Sequence, residues 1–493
     1  VQHEQKSFYH DSGSRDRGND IGIIGLGTMG GSLALNIAEK GFLVSIWDQN
    51  PDKAMSVYAS AGAMRKSLHP VQTLSNFILS LRSPRTVLLM VPAGEPVDAV
   101  LRLLQPHLDV GDIVIDAGNS NFHDTNCRAE TLDAIGLRYM GVGVSGGEAG
   151  ARRGPAIMAG GDLDAWEHVK PIFEAIAARY GALPCAAHVG NDGAGHLVKA
   201  VHNGIEYADM QLIAEASGLL TRGLKLGYRA SGAVFEDWNN GPLQSYLIEI
   251  TSKIFKETDP ETGKPLLDVI LDCAEQKGTG RWTAIEALNL GVPAGVISAA
   301  VDFRFLSARP AERKDGQFVF SGSGAQLCAE DLSIADIEAA LIAGKIISYT
   351  QGFQLIQEAA DDNGWDIDLA SVARIWRNGC IIRSAMLDEM ASALAGAPGK
   401  SLMRSAYFAQ QLSQTIPNLR KVARAGIQAG QPIPALMAAL AYFDTARTSR
   451  CTANVIQAQR DYFGAHGFMR TDQPGTGFRG PWAHEKTRVL ATA

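Results

Sequence analysis

The chain's 493 residues exceed what one hydrophobic core usually serves, so two or more domains are expected, with the composition of an ordinary globular protein, 46% hydrophobic and 20% charged. A net charge of -7 leaves no strong positive field to hold a nucleic-acid backbone, and no apolar run is long enough to span a membrane, so neither partner is expected. Six scattered cysteines form no CxxC or Cys/His cluster, which points to free thiols in a reducing, cytoplasmic setting and to no metal site.

Residues 1–19 mix both charge signs with Ser and Gly, show no period and lack a signal-peptide core. They read as a flexible extension. Order is expected from Asp20. A short apolar strand, Ile21 to Ile24, runs into Gly25-Leu26-Gly27-Thr28-Met29-Gly30, followed by a helix to about Lys40 and a second strand from Phe42 to Trp47. Glycines placed between strand and helix let the backbone approach a pyrophosphate at a helix N-terminus, so this is a dinucleotide fingerprint in its proper context. Asp48 lies 23 positions after Gly25, at the second strand's end. A carboxylate there can accept hydrogen bonds from the ribose of NAD and would repel the 2′-phosphate of NADP; it can at the same time cap the helix after Pro51. Gln49 and Asn50 add no charge, and Lys53 is the nearest cation, which favours NAD.

Thr86 to Val91 and Asp112 to Asp116 are further buried-strand candidates. The turns that follow them, Pro92-Ala93-Gly94 after Val91 and Ala117-Gly118-Asn119-Ser120, sit where open parallel sheets place ligands, which makes Asn119 a contact for cofactor or substrate. Ser145-Gly146-Gly147, after an apolar run from Leu137 to Val144, offers backbone N–H groups and a hydroxyl to a carboxylate, or is a plain turn. Past Gly190 the strand and helix alternation gives way to long stretches of helical period, including Asp331 to Glu358 and Leu436 to Thr448. The first of these, Gly193 to Ser217, carries an apolar stripe of Leu197, Val201, Ile205, Ala208, Leu212 and Ala216. Lys199, His202, Asn203 and Glu206 recur at i, i+3, i+4 and i+7 on another face. Such a face holds a base and an acid together on a rigid element, or is a solvated surface with a Lys/Glu pair. Lys277-Gly278-Thr279 suits a phosphate or a surface turn. The expected architecture is an α/β Rossmann-type domain over 20–192, a large all-α domain over 193–449 and a tail over 450–493 with little core of its own.

Taken together, GLGTMG, GNS at 118–120, VSGGEAGARRGP at 144–155, GHLVKAVHNGIEYADMQL at 195–212, QKGTGRWTA and IQAQRDYFGAH at 456–466 resemble the 6-phosphogluconate dehydrogenase family. The resemblance covers nearly the whole chain after Asp20. It implies oxidative decarboxylation of 6-phosphogluconate to ribulose 5-phosphate and CO2 with reduction of NAD or NADP, a step of the pentose phosphate pathway. Lys199 would take the proton from the substrate's 3-hydroxyl, and Glu206 would protonate C1 of the enediol. Asn119, Ser145, Gly146, Gly147, His202 and Asn203 would hold the carboxylate and hydroxyl end; Tyr207, Lys277, Thr279 and Arg304 the phosphate. The tail would complete a partner subunit's site through Arg460 and His466, implying a homodimer.

Two departures bear on the cofactor. NADP-dependent members of the family commonly carry Asn-Arg-Ser/Thr where this chain has Asp48-Gln49-Asn50, and many carry lysine at the position of Pro92. Both changes remove groups that favour the extra phosphate. A related β-hydroxyacid dehydrogenase acting on a phosphate-free acid would not need Lys277, Arg304, Arg460 and His466. A catalytically silent NAD-binding protein would not need Lys199 and Glu206.

Overall fold

The computed structural model describes residues 18–320 and 332–483. Cys328, Asp331 and most of the N-terminal extension therefore lie outside the described residues. The chain forms two compact units, divided between Ala439 and Leu440 within the helix Pro434–Ala446.

The first unit starts with an eight-stranded sheet in the order β10-β7-β6-β5-β4-β1-β2-β3. Its strands are β1 (Ile21–Ile24), β2 (Val44–Trp47), β3 (Leu68–Pro70), β4 (Thr86–Leu89), β5 (Ile113–Asp116), β6 (Arg138–Ser145), β7 (Ala156–Gly161) and β10 (Ala186–Gly190); β8 (Arg179–Tyr180) and β9 (Leu183–Pro184) form a separate hairpin. From β3 to β6 the order is the doubly wound one, with parallel pairing throughout, and a ligand crevice is expected at the strands' C-terminal ends. β1, β4 and β5 are buried along their whole length, because helices cover both faces of the sheet. The helices are α1 (Thr28–Glu39), α2 (Pro51–Ser60), α3 (Leu74–Leu79), α4 (Glu95–Leu104), α5 (Phe122–Asp133), α6 (Gly147–Arg153) and α7 (Leu163–Ile176).

Several expectations shift in detail. Order reaches back past Asp20: Asn19 is buried, donates from its backbone to Ser80 O (2.7 Å) and from its side chain to Ser45 Oγ (2.6 Å). β7 runs antiparallel to β6, a reversal of direction that no expected element allowed for. The glycine-rich stretch after Ser145 is a turn only at Gly146 (φ 107°); from Gly147 it is helix α6. Thr279, read as part of a loop, is the first residue of the helix Thr279–Asn289.

The stretch from Gly193 forms α8 (Ala194–Gly218), a 25-residue helix. Its expected apolar stripe is buried, yet so is almost everything else: only Glu206, Met210, Ala214 and Ser217 are not. The helix is a central strut rather than an amphipathic surface element. It packs on β6 and β7, on the helix Thr279–Asn289, and on the 30-residue helix Ile334–Asn363. Across that last contact Lys345 Nζ lies 2.7 Å from both oxygens of Asp209, with both side chains buried.

The second unit is organised by a charge. Asp461, on the helix Ala453–Gly464, is buried and accepts from Gly467 N (2.9 Å), Arg479 Nε (2.6 Å), Gly480 N (2.9 Å) and Trp482 Nε1 (2.8 Å). These donors hold its carboxyl down at about 2. A single carboxylate thus orders a loop with little apolar core, while Val455, Ile456, Tyr462, Phe463 and Met469 are exposed in this unit.

Candidate active site

The nucleotide side of the site begins where β1 passes into α1. Gly25 has φ 92°, and a Cβ at Gly30 would lie 1.9 Å from Gly25 O, so both positions require glycine for the helix to sit this close to the strand. A Cβ at Gly27 would meet nothing within 4 Å; that side faces open space where a ligand can approach. The cleft above has a volume of about 860 Å³. Gly25, Gly27, Thr28, Met29, Gly30, Asp48, Gln49, Val91, Pro92, Ala93 and Asn119 all line it, as the sequence led us to expect. Leu26 and Asn50 do not: the Leu26 side chain is part of the sheet's core, and Asn50 caps α2 by accepting from Asp52 N at 3.0 Å.

The cap of α2 belongs to Asn50, so Asp48 does not have the capping role expected beside its place at the cleft. Asp48 Oδ2 instead accepts from Leu26 N (2.8 Å) and Oδ1 from Asn50 N (2.9 Å), which fixes the carboxylate at the rim of the cleft. Lys53 lies 3.5 Å from Asp48 Oδ2, so the nearest cation is engaged by the carboxylate it would have to override. Trp282, Pro96 and Lys277 also line the cleft. Trp282 closes the QKGTGRW run, whose cation and hydroxyl are its chemical signals; nothing in the spacing marks the indole as a cleft residue.

Asn119 is presented by a turn that a buried carboxylate shapes. Asp116 Oδ1 accepts from Gly118 N (3.0 Å) and Oδ2 from Ser120 Oγ (2.5 Å), leaving Asn119 between them exposed to the cleft. On the other side of β6, alternate residues meet every third residue of α8. A Cβ at Gly141 would lie 2.8 Å from His196 Nδ1, and one at Gly143 would lie 2.4 Å from Lys199 Cβ. Ser145 Oγ stands 3.4 Å from His202 Nε2. The two elements are keyed together by the periods of strand and helix, and the absent side chains at 141 and 143 let the helix lie on the strand.

The four polar residues of α8 come together as their spacing implied, but in a buried rather than a solvated setting. Lys199, His202 and Asn203 are buried and Glu206 is 20% exposed. His202 Nδ1 faces Asn203 Oδ1 (3.1 Å) and Glu206 Oε2 (3.8 Å). Burial, reinforced by Lys199, pushes His202 well below its usual range, so the ring is neutral. With two acceptors in front of Nδ1, that nitrogen carries the proton and Nε2 accepts from the Ser145 hydroxyl. Asn203 Nδ2 donates to Thr279 Oγ1 at 3.0 Å, which ties the start of the neighbouring helix to this cluster.

Burial also draws together the proton affinities of the two groups that can exchange protons. It lowers Lys199, against the opposing pull of Glu206, and raises Glu206, against Lys199 and Arg304. A lysine made easier to deprotonate and a glutamate made easier to protonate are the states a base and an acid need. Cys380 is close enough to feel Lys199, but burial pushes its thiol up to about 12, and it donates to Trp376 O at 3.0 Å. It is therefore not a competing nucleophile.

Tyr207 and Arg304 form the next part of the site. The Arg304 guanidinium lies 3.5 Å from the Tyr207 ring centroid and donates through Nη1 to Glu275 O at 2.9 Å. Its Nη2 donates to Met210 Sδ at 3.4 Å, and stacking with these two bonds leaves further N–H groups for an anion. Lys277 is exposed and lines the nucleotide cleft. Arg460 and His466 are exposed in the second unit, where Arg460 Nη1 donates to Gln457 Oε1 at 3.1 Å. Among the described residues no cluster of three or more His, Cys, Asp or Glu could hold a metal, and Cys127, Cys185, Cys273, Cys380 and Cys451 are free.

A doubly wound sheet with its glycine turn, joined to a buried lysine and a part-buried glutamate on a helical strut, defines a nucleotide-dependent dehydrogenase. Comparison with known proteins gives the family. The model for the NAD binding domain of 6-phosphogluconate dehydrogenase matches residues 20–190, and that for the C-terminal domain of the same enzyme matches residues 195–482. The chain belongs to the 6-phosphogluconate dehydrogenase family. It is 44% identical over 468 residues to the NAD(+)-dependent, decarboxylating 6-phosphogluconate dehydrogenase of Bacillus subtilis, covering 94% of this chain and 99% of the relative. The NADP(+)-dependent enzyme of the same organism is 45% identical over 458 residues, covering 92% and 97%. The solved structure of Plasmodium falciparum 6-phosphogluconate dehydrogenase matches with a TM-score of 0.91 at 38% identity, covering 94% of this chain and all of that one.

Proposed function

We propose that this chain catalyses the oxidative decarboxylation of 6-phosphogluconate to ribulose 5-phosphate and CO2, coupled to reduction of NAD. The observation that carries the chemistry is the pair Lys199 and Glu206, about two turns apart on α8, with burial moving their proton affinities toward one another. The neutral amine of Lys199 takes the proton of the substrate's 3-hydroxyl. When bound, the nicotinamide supplies the hydride acceptor for C3. The ammonium so formed on Lys199 then donates to the new ketone oxygen, stabilising the charge that develops there as CO2 leaves. Glu206 in its acid form delivers a proton to C1 of the enediol. Ser145, the backbone at Gly146 and Gly147, Asn119, His202 and Asn203 orient the carboxylate and hydroxyl end, and Tyr207, Thr279, Lys277 and Arg304 the phosphate end. Lys199→Met tests this directly: oxidation should be abolished while NADH affinity stays near that of the parent. Near-normal turnover would remove Lys199 from the role.

NAD is assigned over NADP because Asp48 stands at the rim of the cleft and Lys53 is paired with it. Gln49 and Pro92, which also line the cleft, bring no charge to a 2′-phosphate. Initial rates of NADH and NADPH formation, compared as kcat/KM under one set of conditions, decide the matter. A preference for NADPH formation would overturn the Asp48 reading.

The working form is proposed to be a homodimer built from three parts per chain, 20–192, 193–449 and 450–493, with Arg460 and His466 entering the partner's site. The exposure of both residues and of apolar side chains around them supports this reading. Mixing Lys199→Met with Arg460→Ala should restore about a quarter of the parent activity, since only hybrid dimers regain one intact site. No restoration after subunit exchange would refute it. The substrate's phosphate and carboxylate hold it on one side of a bilayer, so a cytoplasmic location goes with this reading.

A further inference from the structure

Two buried charges stand beside the nucleotide cleft without lining it: Asp116, at the end of β5, is 0% exposed and Arg128, on α5, is 7% exposed. Asp116 accepts from Gly118 N (3.0 Å), Ser120 Oγ (2.5 Å) and Tyr139 Oη (3.4 Å). A side chain that only accepts is an ionised carboxylate. Its three donors are neutral, so the buried charge itself needs a partner.

That partner is Arg128. Its Nη1 lies 3.8 Å from Asp116 Oδ2, enclosed and making no hydrogen bond among the described residues. The rest of the guanidinium is fastened elsewhere: Nε donates to Asp98 Oδ1 at 2.6 Å and Nη2 to Gly94 O at 3.2 Å. Gly94 is the N-cap of α4, directly after Pro92 and Ala93 of the cleft. A chain of contacts therefore runs from α4 through Arg128 and Asp116 to the Gly118–Ser120 turn. Away from water, its charge link at 3.8 Å is little screened. The turn has no slack toward β4 either, since a Cβ at Gly118 would lie 3.0 Å from Val91 O. In the sheet order β5-β4-β1-β2, this turn lies on the far side of the glycine turn from Asp48. A dinucleotide with its adenosine ribose at Asp48 thus meets Asn119 with its nicotinamide half.

We propose that Arg128 is a positioning residue for Asn119: anchored on Asp98 and Gly94, it compensates the buried charge of Asp116, so that Asp116 can hold the Gly118–Ser120 turn in the shape that receives the nicotinamide half of the cofactor. The proposal rests on the reading of the cleft as the NAD site. Arg128 acts through Asp116 and does not touch the cofactor. Without its charge, the Asp116 carboxylate is stranded, and the turn yields to bring water or a proton to it.

Arg128→Met keeps most of the stem and removes the charge. The probes are NADH and ADP-ribose, which retains the adenosine ribose and pyrophosphate but has no nicotinamide. Each is titrated by calorimetry into the whole chain at a temperature where circular dichroism shows it folded. In Arg128→Met the dissociation constant of NADH should rise about tenfold or more, the size of one charge-assisted hydrogen bond, while that of ADP-ribose stays within about twofold of the parent. Adding Asp116→Asn removes the buried charge and keeps a side-chain oxygen for Gly118 N, so NADH affinity should return to within about threefold of the parent. A residue that only supports the fold would lower both affinities together and would not be rescued in this way. Equal losses of both ligands, an unchanged NADH constant, or no recovery in the double variant would each overturn the proposal. Should Arg128→Met not fold, Arg128→Gln, with and without Asp116→Asn, is read by the same criteria. A parent chain that binds neither ligand would overturn the reading of the cleft and the proposal with it, an outcome seen before any substitution is made.

Discussion

Lys345→Met is the perturbation whose cost the structure sets most sharply. Lys345 and Asp209 are 0% and 1% exposed, and the ammonium is shared evenly between both carboxylate oxygens at 2.7 Å. Methionine fills nearly the same volume, so packing is kept and the carboxylate is left buried without its partner. Breaking a buried pair from one side costs about 3–5 kcal/mol, far more than the pair itself contributes relative to an apolar replacement. The assay is chemical denaturation at fixed protein concentration without cofactor, since bound ligand would add its own stabilisation. Adding Asp209→Leu to Lys345→Met should recover most of the loss, because the stranded charge is then gone. The change should also be visible in catalysis. Asp209 is three residues beyond Glu206, and its charge already helps to raise the Glu206 carboxyl. With Lys345 removed, that charge acts unopposed, Glu206 keeps its proton to higher pH, and the alkaline limb of the turnover profile should move upward. A loss below about 1 kcal/mol for the single variant would show that water reaches Asp209, and the reasoning would fail.

Glu206→Gln should slow ketone formation from the enediol more than it alters substrate binding, read as a fall in kcat at nearly constant KM; unchanged turnover would mean that another acid protonates C1. In the parent, kcat/KM should rise with pH as Lys199 loses its proton, earlier than for an ordinary lysine, and fall as Glu206 loses its own, later than for an ordinary carboxylate. A profile flat from pH 5 to 9 would contradict both shifts. Asp461→Ala should leave four donors unanswered and open the 467–482 loop to proteolysis while the first unit keeps its protection, as limited digestion followed by mass spectrometry would show. Equal protease resistance would mean that the loop is held by other contacts.

Much of the site was legible because its residues repeat at the periods of the elements that carry them. The strand, glycine turn and Asp48 announce a nucleotide cleft from local spacing, and Lys199, His202, Asn203 and Glu206 lie together because a helix brings i, i+3, i+4 and i+7 to one side. What stayed hidden depends on partners distant in the chain. The ion pair of Asp209 with Lys345 spans 136 positions, and no period in α8 shows that its polar side will be enclosed. β7, with the sequence AIMAGG, is short and built of small residues, so neither its strand character nor its antiparallel direction stands out. The order of the second unit rests on Asp461, one acidic residue among ordinary tail sequence, whose donors are recruited from a loop up to 21 positions further on.

The keyed contact between β6 and α8 makes length the property that this part of the chain cannot vary. Gly141, Gly143 and Ser145 meet His196, Lys199 and His202 in turn, whereas Met140, Val142 and Val144 face the sheet's opposite core. Deleting one residue before Gly141 would exchange the two sets, driving methionine and valine into the helix and the glycines into the core. A library of insertions and deletions across 138–145 should therefore return inactive protein at nearly every site, while similar changes in the exposed 259–264 loop pass unnoticed. Along this strand neither the number of residues nor the two glycines can change without displacing α8.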